Sequence, residues 1–207
     1  MMRNLYFDLY QKLKNNRQAE VVETLELNYP FSDYSHMKLL QEKDFFYAAP
    51  YAFRSIMVKL FAWAVTDPEA LSAIVEVSKD NGVLEIGAGS GYWASLLSES
   101  GVDVVAYDNN AMDFDVYHYF IQHEEPDWDF MKDRNSFLCW PLYDDSMAYD
   151  CVKKYKGNAI IYIGEDREGC NANKDFFNYI YDNFNIYKEV SIEQWDGLHD
   201  NLCIFKK

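Results

Sequence analysis

The segment VLEIGAGSGYWASLL, residues 83–97, constrains the fold more than any other part of the chain. Val83 to Ile86 is a short apolar run of strand type. Gly91 to Ser100 carries a helical pattern, closed by Gly101 just past the helix end. Between them stand glycines at 87, 89 and 91. Glycine lets a backbone turn tightly and approach a ligand closely, because no Cβ stands in the way. A strand, a glycine turn and a helix in that order open a βαβ unit, and ligands of such units lie beyond the carboxyl ends of the strands.

The alternation continues downstream. Asp103–Tyr107 reads as a second strand ending at Asp108-Asn109-Asn110, and Ser136–Trp140 and Ala159–Ile163 as buried strands. Helices are predicted from about Ser146 to Tyr155 and from Asn173 to Phe184. Residues 111–135 carry weaker signals, a helix near Val116–Gln122 and a short strand around Trp128–Met131. Ile186–Glu193 and Asn201–Phe205 are strands with no helix between them, which makes that pair antiparallel.

Upstream of residue 81 the pattern is helical. Leu5, Leu9 and Leu13 share one face, residues 28–33 are turn-rich, and residues 49–65 form an apolar helical segment. Thr66-Asp67-Pro68-Glu69 opens another helix, with Thr66 as its cap and proline in its first turn. The expectation is an α/β fold: a mostly parallel sheet with helices on both faces and an antiparallel last strand. Residues 1–80 form an N-terminal helical cap on a core of residues 81–207, in one compact domain.

Charge and cysteines narrow the function. The 34 acids and 19 bases leave a net charge of −15, which opposes a nucleic-acid polyanion. Lys153, Lys154 and Lys156 read as a solvated helix end. Cys139, Cys151, Cys170 and Cys203 are widely spaced with no CxxC pair, as in a reducing, cytoplasmic setting without disulfides or structural zinc. His118 and His123 lack the i, i+4 spacing of a helical metal pair, so no metal is expected. The N-terminus lacks the apolar core of a signal peptide, and no run approaches the ~20 apolar residues of a membrane span.

The glycines alone leave phosphate, dinucleotide and other nucleoside ligands open. Gly89 to Ala94 satisfies a loose G-x-G-x-x-G/A frame, but it begins three residues past the strand. The frame from Gly87 puts bulky Tyr92 at its sixth position, where close helix–strand packing suffers. Glu85 then discriminates. An acid at the end of the first strand followed by G-x-G-x-G resembles the first motif of class I, Rossmann-like S-adenosylmethionine (SAM)-dependent methyltransferases. Asp108 ends the second strand, where an acid of that superfamily accepts bonds from the ribose hydroxyls. The plain alternative makes Glu85 a surface strand-end residue and the glycines mere helix–strand packing.

The likeness extends to a family of methyltransferase-like proteins largely without assigned substrates. It is carried by Trp63-Ala64-Val65-Thr66, Leu84 to Ala94 and Val104 to Asp108. It continues through Leu138-Cys139-Trp140-Pro141, Met147-Ala148, Tyr162 to Glu165, Gly169-Cys170 and Trp195 to Asp200. The resemblance implies SAM as cofactor. Glu85, Gly87, Ala88, Gly89, Gly91 and Tyr92 are then expected on its methionine side, and Asp108 with Asn109 toward the ribose. Cys139, Trp140 and Trp63 complete the cofactor set.

Methyl transfer is an in-line displacement, so such an enzyme chiefly positions a nucleophile about 3 Å from the methyl carbon and excludes water. Enzymes of the superfamily that methylate amino groups follow the fourth strand with Asn or Asp, two prolines and an aromatic residue. Trp140 to Tyr143 keeps Pro141 and the aromatic Tyr143 but lacks the leading polar residue and the second proline. Tyr143 and Asp144 are the candidate catalytic residues, as stacking surface and as base or acceptor. In the plainer readings Trp140-Pro141 is a rigid wall, and Asp144 or Asp145 caps the next helix. Glu165 either orients an acceptor or is solvated. His199 reads as structural, and Tyr51, Phe53, Phe61 and Trp63 as core more than as an acceptor cage. The expected function is methyl transfer from SAM to a small molecule or a protein side chain. The alternative is a SAM-binding scaffold without catalysis, and a nicotinamide-dependent oxidoreductase ranks third.

Overall fold

In the computed structural model, residues 3–34, 49–109, 114, 116–167 and 169–207 are described. Four helices precede the first strand: α1 (Leu5–Lys14), α2 (Gln18–Asn28), α3 (Ala49–Leu60) and α4 (Pro68–Ser78). Then follow β1 (Val83–Ile86), α5 (Tyr92–Glu99), β2 (Val104–Tyr107), β3 (Ile121–Gln122), β4 (Asn135–Cys139), α6 (Met147–Lys154) and β5 (Ala159–Gly164). The chain ends with α7 (Lys174–Asn183), β6 (Asn185–Ser191) and β7 (Asn201–Lys206).

The strands form one sheet in the order β3-β2-β1-β4-β5-β7-β6. The pairs β3–β2, β2–β1, β1–β4 and β4–β5 are parallel. β7 runs antiparallel between β5 and β6. Its direction follows from its connection, since the β6–β7 link is too short for a crossover. Register decides what meets at the carboxyl edge. Ile86 pairs with Tyr107 and with Leu138, so Gly87 and Asp108 leave the sheet level with Cys139, the last residue of β4. Gly164 pairs with Asn201, which brings Asp200 to that same edge from the opposite direction.

Apolar side chains fill both faces. On one face, Ala70, Ala73 and Ile74 of α4 and Trp93, Ala94 and Leu97 of α5 pack on Val83, Phe137 and Ile161. On the other, Val152 of α6 and Phe176 and Ile180 of α7 pack on Leu84, Leu138 and Ile160. A third cluster joins Leu9, Val21, Leu25 and Met57 of the first helices, and Phe61 just past α3, to Tyr92 and Leu96 of α5 and to Trp195.

Several local expectations are corrected. The helix expected near Val116–Gln122 is replaced by β3, whose Ile121 lies buried against the sheet core. The strand expected at Trp128–Met131 is a turn, because Asp127 Oδ1 accepts the N–H groups of Asp129 and Phe130 at 3.1 Å each. Helix α4 is capped by Asp67, not Thr66: Asp67 Oδ1 accepts Glu69 N at 2.7 Å, while the Thr66 hydroxyl donates to Asn4 Oδ1. Helix α3 stops at Leu60 rather than running to residue 65. The Leu60 carbonyl is met by the His118 ring nitrogen at 2.6 Å, and the Phe61 carbonyl accepts the Ser90 hydroxyl.

Candidate functional site

The glycine turn is built from backbone that other residues rarely adopt. Gly87, Gly89 and Gly91 have φ of +70°, +56° and +73°. Ala88 N donates to Tyr107 O at 3.0 Å, and Gly91 N to Ala88 O at 2.9 Å, so the turn folds back over β2. Gly89 N donates to Asp108 Oδ2 at 2.8 Å, tying the turn to the acid that ends the second strand. A Cβ on Gly89 would stand 2.8 Å from the Phe114 ring, and one on Gly91 2.8 Å from Tyr119 and Ile121. Three sides of the turn are therefore packed or bonded.

Glu85 is not a surface residue. It is 1% exposed, and its Oε2 is buried with no hydrogen-bond partner among the described residues. Burial, aided by the negative charge of Asp108, pushes its pKa up to about 8. A buried, unpartnered carboxyl so perturbed, beneath a glycine turn, makes Glu85 a candidate functional residue.

An open pocket of about 150 Å³ lies beyond the carboxyl ends of β1, β2 and β4. This is where the strand order reverses direction, between β1 and β4, and where open α/β sheets place their ligands. Gly87 and Gly89, Asp108 and Asn109, and Cys139 to Leu142 form its walls, with Trp63, Phe114, Asp145 and Met147.

Trp140 organises the β4 side. Its φ is +53°, a conformation that costs a bulky residue about 1–3 kcal/mol and persists only when its surroundings impose it. Its N–H donates to Ile163 O at 2.8 Å, and its indole Nε1–H to Asp200 Oδ1 at 2.8 Å. The indole stacks on Trp63, with centroids 5.0 Å apart and planes 12° from parallel. Asp200 is 1% exposed, and burial raises its pKa to about 6 against the pull of the Trp140 hydrogen bond. Beside it the buried Glu165 accepts Cys170 N at 2.7 Å and His199 N at 2.8 Å. Burial also pushes the Cys139 thiol well up, away from the reactive thiolate.

Of the expected cofactor residues, Trp63, Gly87, Gly89, Asp108, Asn109, Cys139 and Trp140 meet in the pocket wall. Ala88 and Gly91 belong to the turn and Glu85 to β1, but none of the three is in that wall. Tyr92 lies elsewhere: its hydroxyl accepts Tyr6 N at 3.2 Å, and its ring packs on Phe61 and His118. Tyr143 is 70% exposed, and Asp144, also exposed, has φ of +53° and donates its N–H to Ala172 O. Asp145 Oδ1 accepts Met147 N at 2.7 Å at the start of α6, the capping role weighed for this pair of acids. Phe53 and Phe61 are core, whereas Tyr51 lies outside the residues whose side chains are described. His118 and His123 each bond a backbone carbonyl, of Leu60 and of Asp108. Sequence reasoning did not single out Asp200, Phe114 or Met147. Asp200 and Met147 left a sign only as members of the family-like stretches Trp195–Asp200 and Met147-Ala148, and Phe114 left none.

No protein-family model matches the sequence, and no curated protein is similar to it. Solved structures share part of the architecture. Magnesium protoporphyrin IX methyltransferase from Synechocystis, with bound S-adenosylhomocysteine (SAH), is 12% identical over 67% of this chain and 82% of that one, with a TM-score of 0.46. The N-methyltransferase NodS from Bradyrhizobium japonicum, in complex with SAH, is 12% identical over 69% and 89%, also at 0.46. A protein in the NADB-Rossmann superfamily from Streptococcus agalactiae is 12% identical over 67% of each chain, at 0.42. The sheet decides the fold independently of these partial overlaps. A parallel β3-β2-β1-β4-β5 run, closed by an antiparallel β7 between β5 and β6, is the class I methyltransferase fold.

Proposed function

We propose that the chain is a SAM-dependent methyltransferase whose acceptor is a small molecule or a protein side chain. The observation that carries this reading is the junction of β1 and β2, where Gly89 N–H bonds Asp108 while Glu85 sits buried beneath the turn. SAM is a cation at its sulfonium and has no phosphate. A turn flanked by two acids suits it better than a pyrophosphate, and the orphaned Oε2 of Glu85 fits a positively charged neighbour. When bound, SAM supplies an electrophilic methyl group. In this reading Asp108 accepts the ribose hydroxyls, and Gly87 and Gly89 let the backbone come close. Trp63 and Trp140 exclude water, and residues 1–80 act as a helical cap. Tyr143 and Asp144 do not line the pocket, but they lie between its lining residues Leu142 and Asp145 and are exposed, which leaves them available to an acceptor. The net charge of −15 weighs against a polyanionic acceptor, and the four free thiols suit a cytoplasmic setting.

Calorimetric titration of the folded protein with SAM and with SAH tests this directly. Binding of both at micromolar levels is expected, and absence of heat from either defeats the reading. Asp108→Ala should abolish binding while leaving the circular dichroism spectrum intact. The exposure of Tyr143 and Asp144 favours one rival, a SAM-binding protein without transfer. Methyl-labelled SAM incubated with cell extract separates the two, since only an enzyme leaves label on an acceptor.

A further inference from the structure

Asp200 is an acid that the pocket wall does not contain, yet one of the wall residues depends on it. It stands just before β7 and is 1% exposed. Its Oδ1 accepts the Trp140 indole N–H at 2.8 Å, and its Oδ2 is buried without a hydrogen-bond partner among the described residues. The surroundings fix this carboxyl in place. Glu165 accepts His199 N with Oε1 at 2.8 Å and Cys170 N with Oε2 at 2.7 Å. Its own N–H donates to Asn171 Oδ1 at 2.8 Å, so the residue before Asp200 is pinned to the end of β5. Arg54 of α3, whose guanidinium carbon lies 5.6 Å and 5.5 Å from the Trp63 and Trp140 ring centroids, favours the ionised form of Asp200 by its charge. An ionised acceptor makes the stronger, charge-assisted bond.

Trp140 needs such a hold. Its backbone bond to Ile163 O fixes the main chain at a left-handed φ but leaves the direction of the ring open. Stacking on Trp63 sets the plane of the ring and still lets it slide. An indole has one polar atom, a donor, so Asp200 makes the one directional contact available to the ring. That ring stands with Trp63 in the wall that also contains Gly87 and Asp108. We propose that Asp200 is a positioning residue, which holds the Trp140 indole in the pocket wall and through it sets the affinity of the pocket for its ligand. This rests on the methyltransferase reading, which makes SAH the probe.

The indole N–H resonances of the five tryptophans are followed by NMR, and SAH affinity by calorimetry. The Trp140 resonance is assigned by its loss in Trp140→Phe. In wild type this N–H should exchange with solvent more slowly than that of Trp128, whose bond to Glu125 is exposed, and should shift when SAH binds. Asp200→Ala should move the Trp140 resonance, leave those of Trp93 and Trp195 in place, and weaken SAH by roughly tenfold, the order of one charge-assisted hydrogen bond. Asp200→Asn keeps an acceptor oxygen and should recover most of both losses. In a Trp140→Phe background, which has no indole N–H, Asp200→Ala should weaken SAH no further. A further loss there overturns the proposal, because Asp200 would then act otherwise than through the indole. If Asp200→Ala fails to fold, the wild-type exchange decides, and a Trp140 N–H as labile as that of Trp128 overturns the proposal. Unchanged SAH affinity in Asp200→Ala removes the proposal alone, whereas absence of SAH binding by wild type removes the methyltransferase reading and the proposal with it.

Discussion

Glu85 shows how one side chain can link the apo fold to its ligand. Its carboxyl is held near pKa 8 by burial first and by Asp108 second, against an ordinary value of 4.5. Between about pH 4.5 and 8 the folded chain therefore binds more protons at this site than the unfolded chain. The contribution of Glu85 to stability is full below that window and falls as pH rises through it. Glu85→Gln should flatten this part of the pH–stability profile, read as urea midpoints at pH 5 and pH 8. An unchanged slope would show that Glu85 is not the titrating group. The same linkage marks the ligand. A sulfonium placed near Glu85 favours its ionised form, so SAM binding near neutral pH should release protons. The calorimetric enthalpy of SAM should then vary with the ionisation enthalpy of the buffer, less so for SAH, and not at all in Glu85→Gln. Equal buffer dependence for SAM and SAH would sink the assignment.

Among elements, the β1–α5 turn is the one that substitution tests most sharply. Gly91 and Gly101 flank the same helix with φ of +73° and +87°. A Cβ at Gly91 meets Tyr119 and Ile121 at 2.8 Å, while one at Gly101 meets nothing within 4 Å. Gly101→Ala should thus cost only the conformational strain, about 1 kcal/mol. Gly91→Ala should add steric displacement of β3 and reach roughly 2–3 kcal/mol, measured by urea unfolding. Equal losses would mean that β3 yields freely. This strand–turn–helix was legible because its glycines and apolar periods are local. The strands β4 and β5 were readable for the same reason, as short runs bounded by turn residues. What was not legible depended on distant partners. β3 is two residues long, too short to show alternation, and α2 has no side-chain bond at its N-cap to announce it. The positive φ of Trp140 and its bond to Asp200 join positions sixty residues apart, which no local period records. Tyr92 carried the turn pattern, but a helix start buried under the first helices sends its ring to Phe61 rather than to the pocket.

For the whole molecule, charge sets how ligands arrive. The chain carries a net −15, and Asp108 and Asp145 face its pocket. A field of this sign attracts cations and raises their association rate by roughly tenfold in favourable cases, an advantage that salt removes. Screening is strong once the Debye length falls from about 30 Å at 0.01 M to about 3 Å at 1 M salt. SAM carries one net positive charge near pH 7, whereas SAH, without the sulfonium, carries none. The two ligands differ little in shape, so they form a matched pair for separating steering from fit. Stopped-flow tryptophan fluorescence should show SAM association slowing several-fold between about 0.01 M and 1 M salt, while SAH association stays nearly constant. Parallel salt curves for the two ligands would mean that the global charge does not reach the pocket. The acids at its wall would then act only on ligands already in contact.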